Sequence, residues 1–286
     1  MPTADELVEY YQGFDFKRST PELMKQPLPA IAKSLEYFLS DGSGERFSSK
    51  TFLDYGGGAG IYCVAAESLG LEATLFDYDS DTVRFGVENF NLREGVCDWS
   101  ALEDRQFDVI FSFHVVEHWN EVERNFESLL EKLTPNGKLI LATPNARSIE
   151  KWFRPTHFLR YYKLWGAYIP SRWQRLKLLL KPDSVFCWDP PRHLLAWTPK
   201  AFKELGERFK LRTNVKVGYN GNLLYEPRNY VIKPLRRRLR DLKRLKRGRL
   251  FKSGIFFWEI LSSAGMWIAP KLFPGFGEQL YVVYRR

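Results

Sequence analysis

Residues 54–60 (DYGGGAG), the glycine loop, have the composition of a ligand-binding turn and lie between a short apolar run and a helix-like stretch. Glycines let the backbone turn sharply and approach a ligand without a Cβ in the way. No lysine follows at the spacing of a phosphate-binding P-loop. Ile61 stands where a dinucleotide fingerprint requires glycine or alanine. The remaining pattern is D-x-G-x-G-x-G, formed by Asp54, Gly56, Gly58 and Gly60.

A second chemistry-bearing stretch is residues 114–118 (HVVEH), which match the inverted zinc-peptidase motif H-x-x-E-H. That motif needs both histidines on one helical face and a distal third ligand. The seven residues before it, 107–113 (FDVIFSF), are an almost continuous apolar run that is typical of a strand buried on both faces. His114 is therefore expected at a strand end, which disfavours a zinc peptidase, and we predict no metal site.

These residues need a framework, and the first half of the chain alternates strands and helices at the spacing of a parallel sheet. The predicted strands are 50–55, 73–76, 107–113, 138–142, 212–217 and 279–284, with a turn at 135–137. The predicted helices are 61–69, one beginning at Asp79 or Ser80, about 120–133, and 198–209 with Thr198 as its cap. This order predicts an α/β, doubly wound domain, in which ligands bind beyond the carboxyl ends of the strands.

The ordered set of motifs resembles the class I S-adenosylmethionine-dependent methyltransferases, whose first motif has the form found at 54–60. The similarity extends from about residue 50 to 286, loosely within the insertions. Residues 117–118 (EH) are similar to the E-H of quinone O-methyltransferases. Residues 143–145 (TPN), 191–194 (PRHL) and 197–199 (WTP) look like small-molecule methyltransferases, including those of bacterial surface-glycan synthesis. The resemblance implies a Rossmann-like, mostly parallel, seven-stranded sheet.

The resemblance also implies S-adenosyl-L-methionine as cofactor, bound by Asp54, Gly56, Gly58 and Gly60 of the glycine loop. Asp77 takes the place of the acid that binds both ribose hydroxyls, and a carboxylate suits a diol because it accepts two hydrogen bonds at once. Asp98 takes the place of the acid that accepts from the adenine amino group, with Trp99 flanking the base. Phe113 completes the predicted cofactor set. Both acids could instead be helix-entry or turn residues.

Methyl transfer is an in-line displacement, so the alignment of the reactants supplies a large share of the rate. For a hydroxyl acceptor, a base adds roughly 10²–10⁴-fold. Of four histidines, His118 and His193 fall at the predicted carboxyl edge of the sheet, where the resemblance places the acceptor. We predict one of them as the base, with Glu117 orienting or pairing. A histidine that packs a loop and a divalent ion at Glu117 or His118 are the alternatives.

The cysteine content and the charge distribution indicate the cellular compartment and the kind of partner. Three cysteines, Cys63, Cys97 and Cys187, form no C-x-x-C pair, which favours a reducing cytoplasm over a disulfide framework. The net charge of +9 is unevenly placed. Residues 151–181 carry eight Lys/Arg and no acid, and residues 233–249 carry ten Lys/Arg against Asp241. This asymmetry indicates an anionic partner.

The second basic segment predicts an amphipathic helix, with Leu235, Leu239, Leu242 and Leu245 on one face. Residues 254–269 are strongly apolar but short for a bilayer span and interrupted by Glu259. Three interpretations stay open: a lid over the site, a surface that docks on anionic lipid, and a nucleic-acid site. The first two are compatible, because a docked lid could collect a lipid-linked acceptor.

The predicted segments are an N-terminal helical cover (1–48), a cofactor-binding core (49–145), a basic aromatic insertion (146–196), a core helix and strand (197–221), a basic amphipathic and apolar insertion (222–275) and a final core strand (276–286). We expect the two insertions to form a substrate-side cap. The predicted function is cytoplasmic S-adenosylmethionine-dependent O-methylation of a small-molecule, glycan or lipid-linked acceptor, with an anionic membrane surface as a further partner at the inner membrane face. An RNA methyltransferase and a non-catalytic cofactor-binding or scaffold protein are the alternatives.

Overall fold

In the computed structural model, the residues described are 28–40, 49–148, 169–180, 193–218 and 279–286, with a few single positions between them. The strands are β1 (Thr51–Tyr55), β2 (Glu72–Phe76), β3 (Gly95–Val96), β4 (Phe107–Phe113), β5 (Leu133–Pro144), β6 (Arg212–Gly218) and β7 (Gln279–Arg285). The helices are α1 (Leu28–Leu39), α2 (Ile61–Ser68), α3 (Ser80–Phe90), α4 (Val122–Glu131), α5 (Arg172–Leu180) and α6 (Pro199–Arg208).

Within these ranges, seven strands form one sheet in the order β3-β2-β1-β4-β5-β7-β6. Parallel pairing joins β1 to β2 and β4, β2 to β3, and β4 to β5. The carboxyl ends of these five strands therefore meet at one edge of the sheet. The prediction of a Rossmann-like, mostly parallel, seven-stranded α/β sheet is confirmed.

Local sequence accounts for these elements. The central strands are nearly all apolar because they are covered on both faces, and Phe52, Leu53 and Phe111 are almost fully buried. Helix α3 begins where predicted, since the Asp79 side chain accepts hydrogen bonds from the first amides of the helix. Helix α6 begins likewise after Thr198, whose hydroxyl accepts from Ala201 N. The other predicted strands and helices are found within about two residues of their expected bounds.

Strand β5 differs from its prediction. Phe107 pairs with Leu133 and Val109 with Lys138, so two steps along β4 face five along β5. The predicted turn at 135–137 is therefore a bulge inside a longer strand. A proline provides no ladder donor, and a bulge is where a strand tolerates one.

The chain forms two compact units. The first comprises Met1–Pro144, Pro190–Lys216 and Tyr281–Arg286, and the second Asn145–Asp189 and Val217–Leu280. The predicted helix at 233–249 lies outside the described residues, and so does the apolar run at 254–269 apart from Leu261. The six segment boundaries and the substrate-side cap stay predictions. Among the described residues, no helix has the length and hydropathy needed to span a bilayer.

Candidate active site

The glycine loop follows β1 at the carboxyl edge of the sheet, and its backbone requires glycine. Gly56, Gly58 and Gly60 have φ of 69°, 55° and 77°, the left-handed region that side chains disfavour. A Cβ on Gly56 would lie 2.5 Å from a methyl group of Val115. Helix α3 also presses on the loop, since a Cβ on Gly86 would lie 2.5 Å from the carbonyl oxygen of Ala59.

Asp54 supports this loop from inside the protein. Its side chain is completely buried, and its Oδ2 lies 3.9 Å from the thiol of Cys63. Burial, together with the nearby charge of Asp77, raises the pKa of Asp54 to about 8. A Cβ on Gly57, a glycine outside the D-x-G-x-G-x-G pattern, would collide with the Asp54 carboxylate. The predicted contact of Asp54 with the cofactor stays a prediction.

Asp77 fastens the end of β2 to the glycine loop. Its Oδ2 accepts a hydrogen bond from Gly58 N at 2.9 Å, and its Oδ1 accepts from Asp79 N at 3.0 Å. Burial raises the pKa of Asp77, and the hydrogen bonds from these amides oppose the increase. Among the residues that the structure describes, no cation pairs with Asp77. A carboxylate offers about four lone-pair directions, so it keeps acceptor capacity for a ligand hydroxyl beside these amides.

Aromatic rings pack against one another at the ends of β1 and β2. Trp99 packs edge-on against Tyr55 and Phe76, with ring centroids 5.4 and 5.0 Å apart. Tyr78, which sequence reasoning missed, packs edge-on against Phe76 and is 72% exposed. Its position directly after Asp77 was the available signal. Such rings can hold a flat base by stacking.

The described contacts of Asp98 and Phe113 are with other residues of the chain. Asp98 accepts a hydrogen bond from Ser100 N, which lowers the pKa of this exposed carboxyl and caps the short turn Trp99–Leu102. The turn role considered from the sequence is therefore present. Phe113, at the end of β4, lies 5.1 Å from the ring of Tyr62. Their predicted adenine and cofactor contacts stay predictions.

Glu117 is the buried centre of the predicted catalytic group. Only 1% of the residue is exposed, yet both oxygens have partners: Oε1 lies 2.8 Å from His114 Nδ1, and Oε2 accepts from Thr143 Oγ1 at 2.8 Å. Burial alone would raise the pKa of Glu117. The hydrogen bond from His114 and the charges of His114 and His118 outweigh it and hold that pKa below its ordinary value.

His118 and His193 lie against this carboxylate, although 74 residues separate them in sequence. Their ring centroids are 5.1 Å apart, and His193 Nε2 lies 4.0 Å from Glu117 Oε1. His193 is buried, whereas His118 is partly exposed. Glu117, His118 and His193, the acid-histidine cluster, offer ligand atoms within 4.8 Å of one another and could also hold a metal ion. The structure therefore brings the three predicted catalytic residues together.

Backbone contacts hold the two segments of this cluster in register. Leu194 N and Leu195 N donate to Glu117 O at 2.9 and 3.0 Å, and Trp197 Nε1 donates to Val116 O at 3.0 Å. Val115 fills the space beside Gly56 on the other side. The cluster therefore lies next to the glycine loop at the carboxyl edge of the sheet.

The residues fit S-adenosylmethionine in their chemistry. Asp77 offers acceptors for a ribose, and the exposed ring of Tyr78 beside it can stack on a base. Helix α2 has Gly60 as its N-cap without a side-chain cap, and such a helix end favours a carboxylate ligand.

A family model described as "Methyltransferase domain" matches residues 26–211, more than half of the chain. The chain belongs to this methyltransferase family. The predicted membership of the class I S-adenosylmethionine-dependent methyltransferases is thereby confirmed, and with it S-adenosyl-L-methionine as the cofactor.

Curated relatives match this methyltransferase over part of its length. It is 27% identical over 146 residues to a ubiquinone biosynthesis O-methyltransferase of Bartonella tribocorum, covering 49% of this chain and 58% of the relative. It is 30% identical over 109 residues to a ribosomal protein L11 methyltransferase of Geotalea uraniireducens, covering 36% and 34%. The chain thus spans between about a third and three fifths of these relatives.

Solved structures share the fold of this methyltransferase at low identity. The plantazolicin methyltransferase BpumL in complex with monoazolic desmethylPZN analog and SAH has a TM-score of 0.50 and 13% identity, covering 99% of this chain and 90% of that one. A Haemonchus contortus phosphoethanolamine N-methyltransferase in complex with S-adenosyl-L-methionine has a TM-score of 0.50 and 16% identity, covering 99% and 57%. At this identity the likeness concerns the fold alone.

Proposed function

We propose that this protein methylates a hydroxyl group of a small-molecule or lipid-linked acceptor, using S-adenosylmethionine. The observation that supports this proposal is the convergence of Glu117, His118 and His193 beside the glycine loop. A hydroxyl must lose its proton as it is methylated, and an imidazole next to an ionised carboxylate is suited to accept it.

Different residues of the chain are assigned to cofactor binding and to proton transfer. The cofactor, when bound, supplies an electrophilic methyl group on a sulfonium. The glycine loop and Asp77, which are joined by the bond from Gly58 N, would hold the nucleoside end of the cofactor, and such positioning would contribute to the rate.

His118 is the better candidate for the base, because it is partly exposed while His193 is buried against Glu117. The acceptor hydroxyl would give its proton to the His118 ring as its oxygen takes the methyl group from the sulfonium, which would leave as a neutral thioether. Glu117 stays ionised because its pKa is lowered, so it stabilises the imidazolium that forms. His193 is assigned a positioning role at the back of the cluster.

The acceptor class is inferred from chemistry and from the relatives. Several curated relatives are named ubiquinone biosynthesis O-methyltransferases, and O-methylation takes place at an oxygen atom. Separately, helix α5 exposes Trp173 by 74% beside the exposed cations Arg172 and Lys177. An exposed indole flanked by cations suits the boundary of an anionic membrane, which supports a lipid-linked acceptor.

A labelled-methyl transfer assay against separated lipid, glycan and RNA extracts tests this function. With a small-molecule extract included, we expect label in the lipid or small-molecule fraction, as a methyl ether; label in the glycan fraction alone would contradict the proposed acceptor class. Label confined to RNA would support the nucleic-acid alternative, and no turnover despite cofactor binding would support a scaffold. Repeating the assay with a chelator, and then with added Mg²⁺ or Zn²⁺, separates a histidine base from a metal ion at the cluster. Activity that survives chelation supports the base.

A further inference from the structure

A pocket of about 410 Å³ lies between the end of α1 and strands β6 and β7, within the first unit. Three of its lining side chains are cations: Arg212, Lys216 and Arg285. Ser40 and Asn214 add neutral hydrogen-bonding groups, and Tyr37 adds a ring. We call this feature the basic pocket.

The charge of the basic pocket is uncompensated within the described part of the chain. Its described lining contains no acid, and none of the three cations has an ion-pair partner among the described residues. Like charges gathered in one concavity repel each other and concentrate a positive field there. An anion in the pocket would relieve that repulsion.

The fold brings these three cations together: Arg212 is exposed, whereas Lys216 and Arg285 are half-buried. Arg212 and Lys216 lie on the same face of β6, four residues apart. Lys216 Nζ sits 3.9 Å from the ring centroid of Tyr37, which fixes the ammonium over an aromatic face. Cations on an edge strand can simply prevent edge-to-edge pairing. That explanation does not cover Arg285, because β7 lies inside the sheet between β5 and β6.

The basic pocket lies toward the amino ends of the parallel strands, whereas the glycine loop lies at their carboxyl ends. Its helix side ends at Ser40, and the preceding carbonyl, Leu39 O, accepts from Lys138 Nζ at 2.6 Å. Lys138 pairs with Val109, near the start of β4, whereas the acid-histidine cluster follows the end of β4. A ligand there is therefore neither the cofactor nor the methyl acceptor.

We propose that the basic pocket binds a phosphate monoester, at a site separate from the methyl-transfer site. Two guanidinium groups and one ammonium match a dianion, and guanidinium forks pair well with phosphate oxygens. The volume is at the lower end of small-ligand pockets, which suits a phosphorylated small molecule or one lipid headgroup. The proposal does not depend on the identity of the methyl acceptor.

Calorimetric titration of the full chain with glycerol 3-phosphate at low ionic strength tests the site. We expect saturable binding that is weakened about tenfold or more in Lys216→Gln and in Arg285→Gln, since each loses a charge-assisted contact. The matched control is Lys203→Gln, which removes one exposed charge on α6 outside the pocket. Cofactor affinity serves as the folding check and should be unchanged in all three variants.

A second arm distinguishes the source of the phosphate group. Sedimentation with phosphatidic acid vesicles, compared between the wild type and the same variants, measures binding of a headgroup. Variant-sensitive binding in either arm supports the proposal and names the source. Absence of variant-sensitive binding in both arms, or equal weakening by Lys203→Gln, overturns it.

Discussion

His114 Nδ1 lies 2.8 Å from Glu117 Oε1, and this pair joins the end of β4 to a carboxylate that is almost completely buried. His114 has a φ of 59°, a left-handed conformation that is uncommon for residues other than glycine. That backbone turn lets the ring reach the carboxylate three residues later. Strained backbone of this kind is often retained at functional sites.

Replacing His114 should change the pH dependence of the reaction. Asn tolerates a left-handed backbone, but His114→Asn removes the imidazole that hydrogen-bonds Glu117. The pKa of Glu117 should then rise, so that it becomes protonated at a higher pH. We expect kcat/KM to fall more steeply on the acid side than in the wild type, because protonation of Glu117 then adds to protonation of the proposed base His118. An acid side with the same steepness and position as in the wild type would show that Glu117 ionisation does not control the rate.

The two clustered histidines should differ in their effects. We expect His118→Gln to lower kcat by roughly 10²–10⁴-fold with little change in cofactor affinity, because it removes the proposed base. His193→Gln should reduce kcat less and leave the shape of the pH profile intact. Single-turnover rates measured with both variants check this. The reverse order of effects would assign the base to His193.

Asp77→Ala should remove cofactor binding while the protein stays folded. The change deletes the carboxylate that is proposed to accept hydrogen bonds from both ribose hydroxyls, and this loss weakens cofactor binding by about 100-fold or more. It also removes the hydrogen bond from Gly58 N that supports the glycine loop. Calorimetry with S-adenosylhomocysteine measures the affinity. Glu127→Gln, which removes an exposed acid of α4, is the control and should bind normally. Unchanged affinity in the alanine variant would count heavily against the assigned site.

Asp54 should make stability depend on pH. Its pKa in the folded protein is about 8 against an ordinary 3.8, so between these values the unfolded chain loses the proton first. Stability contributed by the neutral carboxyl is therefore complete below pH 4 and is lost as the pH rises toward 8. We expect the stability of Asp54→Asn relative to the wild type to increase by about 3–4 kcal/mol from pH 5 to pH 8.

Urea unfolding at both pH values measures the Asp54 effect, and comparing the two pH values cancels any cost of the new amide hydrogens. The same Glu127→Gln variant is the control, with no pH-dependent gain. A gain that is equal at pH 5 and pH 8 would contradict a raised pKa for Asp54.

Trp173→Ala should weaken binding to anionic vesicles by about tenfold, since burying a large apolar side chain at the interface contributes about 1.5–3 kcal/mol. Sedimentation with phosphatidylglycerol vesicles measures this. Tyr78→Ala, an aromatic residue of nearly equal exposure in the first unit, is the matched control. Identical sedimentation of wild type and Trp173→Ala would remove α5 from the membrane hypothesis.

Local patterns predicted much of this structure. The apolar run of β4, the cap at Asp79 and the spacing of Gly56, Gly58 and Gly60 each depend on residues close in sequence. These patterns therefore indicated the alternation of strands and helices in the core and the edge that carries the site, whereas the order of the strands in the sheet was not predicted. Strand β5 was misjudged, because a bulge and a turn have the same local composition of proline, asparagine and glycine.

Contacts between distant segments could not be predicted in the same way. The need for glycine at 57 comes from the buried Asp54 side chain beneath it, which no local pattern reveals. The partnership of Thr143 with Glu117 depends on the pairing of β4 with β5. The basic pocket joins residues 40, 212 and 285, which come together only through the completed sheet.

The close approach of Gly86 to the carbonyl of Ala59 extends the vulnerable region of the protein beyond the residues that a ligand would touch. Any side chain at 86 would force helix and turn apart, deforming the loop from behind. A random mutagenesis screen for lost methylation should therefore recover position 86 together with the motif glycines. A map of ligand contacts alone would not explain why substitutions at position 86 abolish methylation.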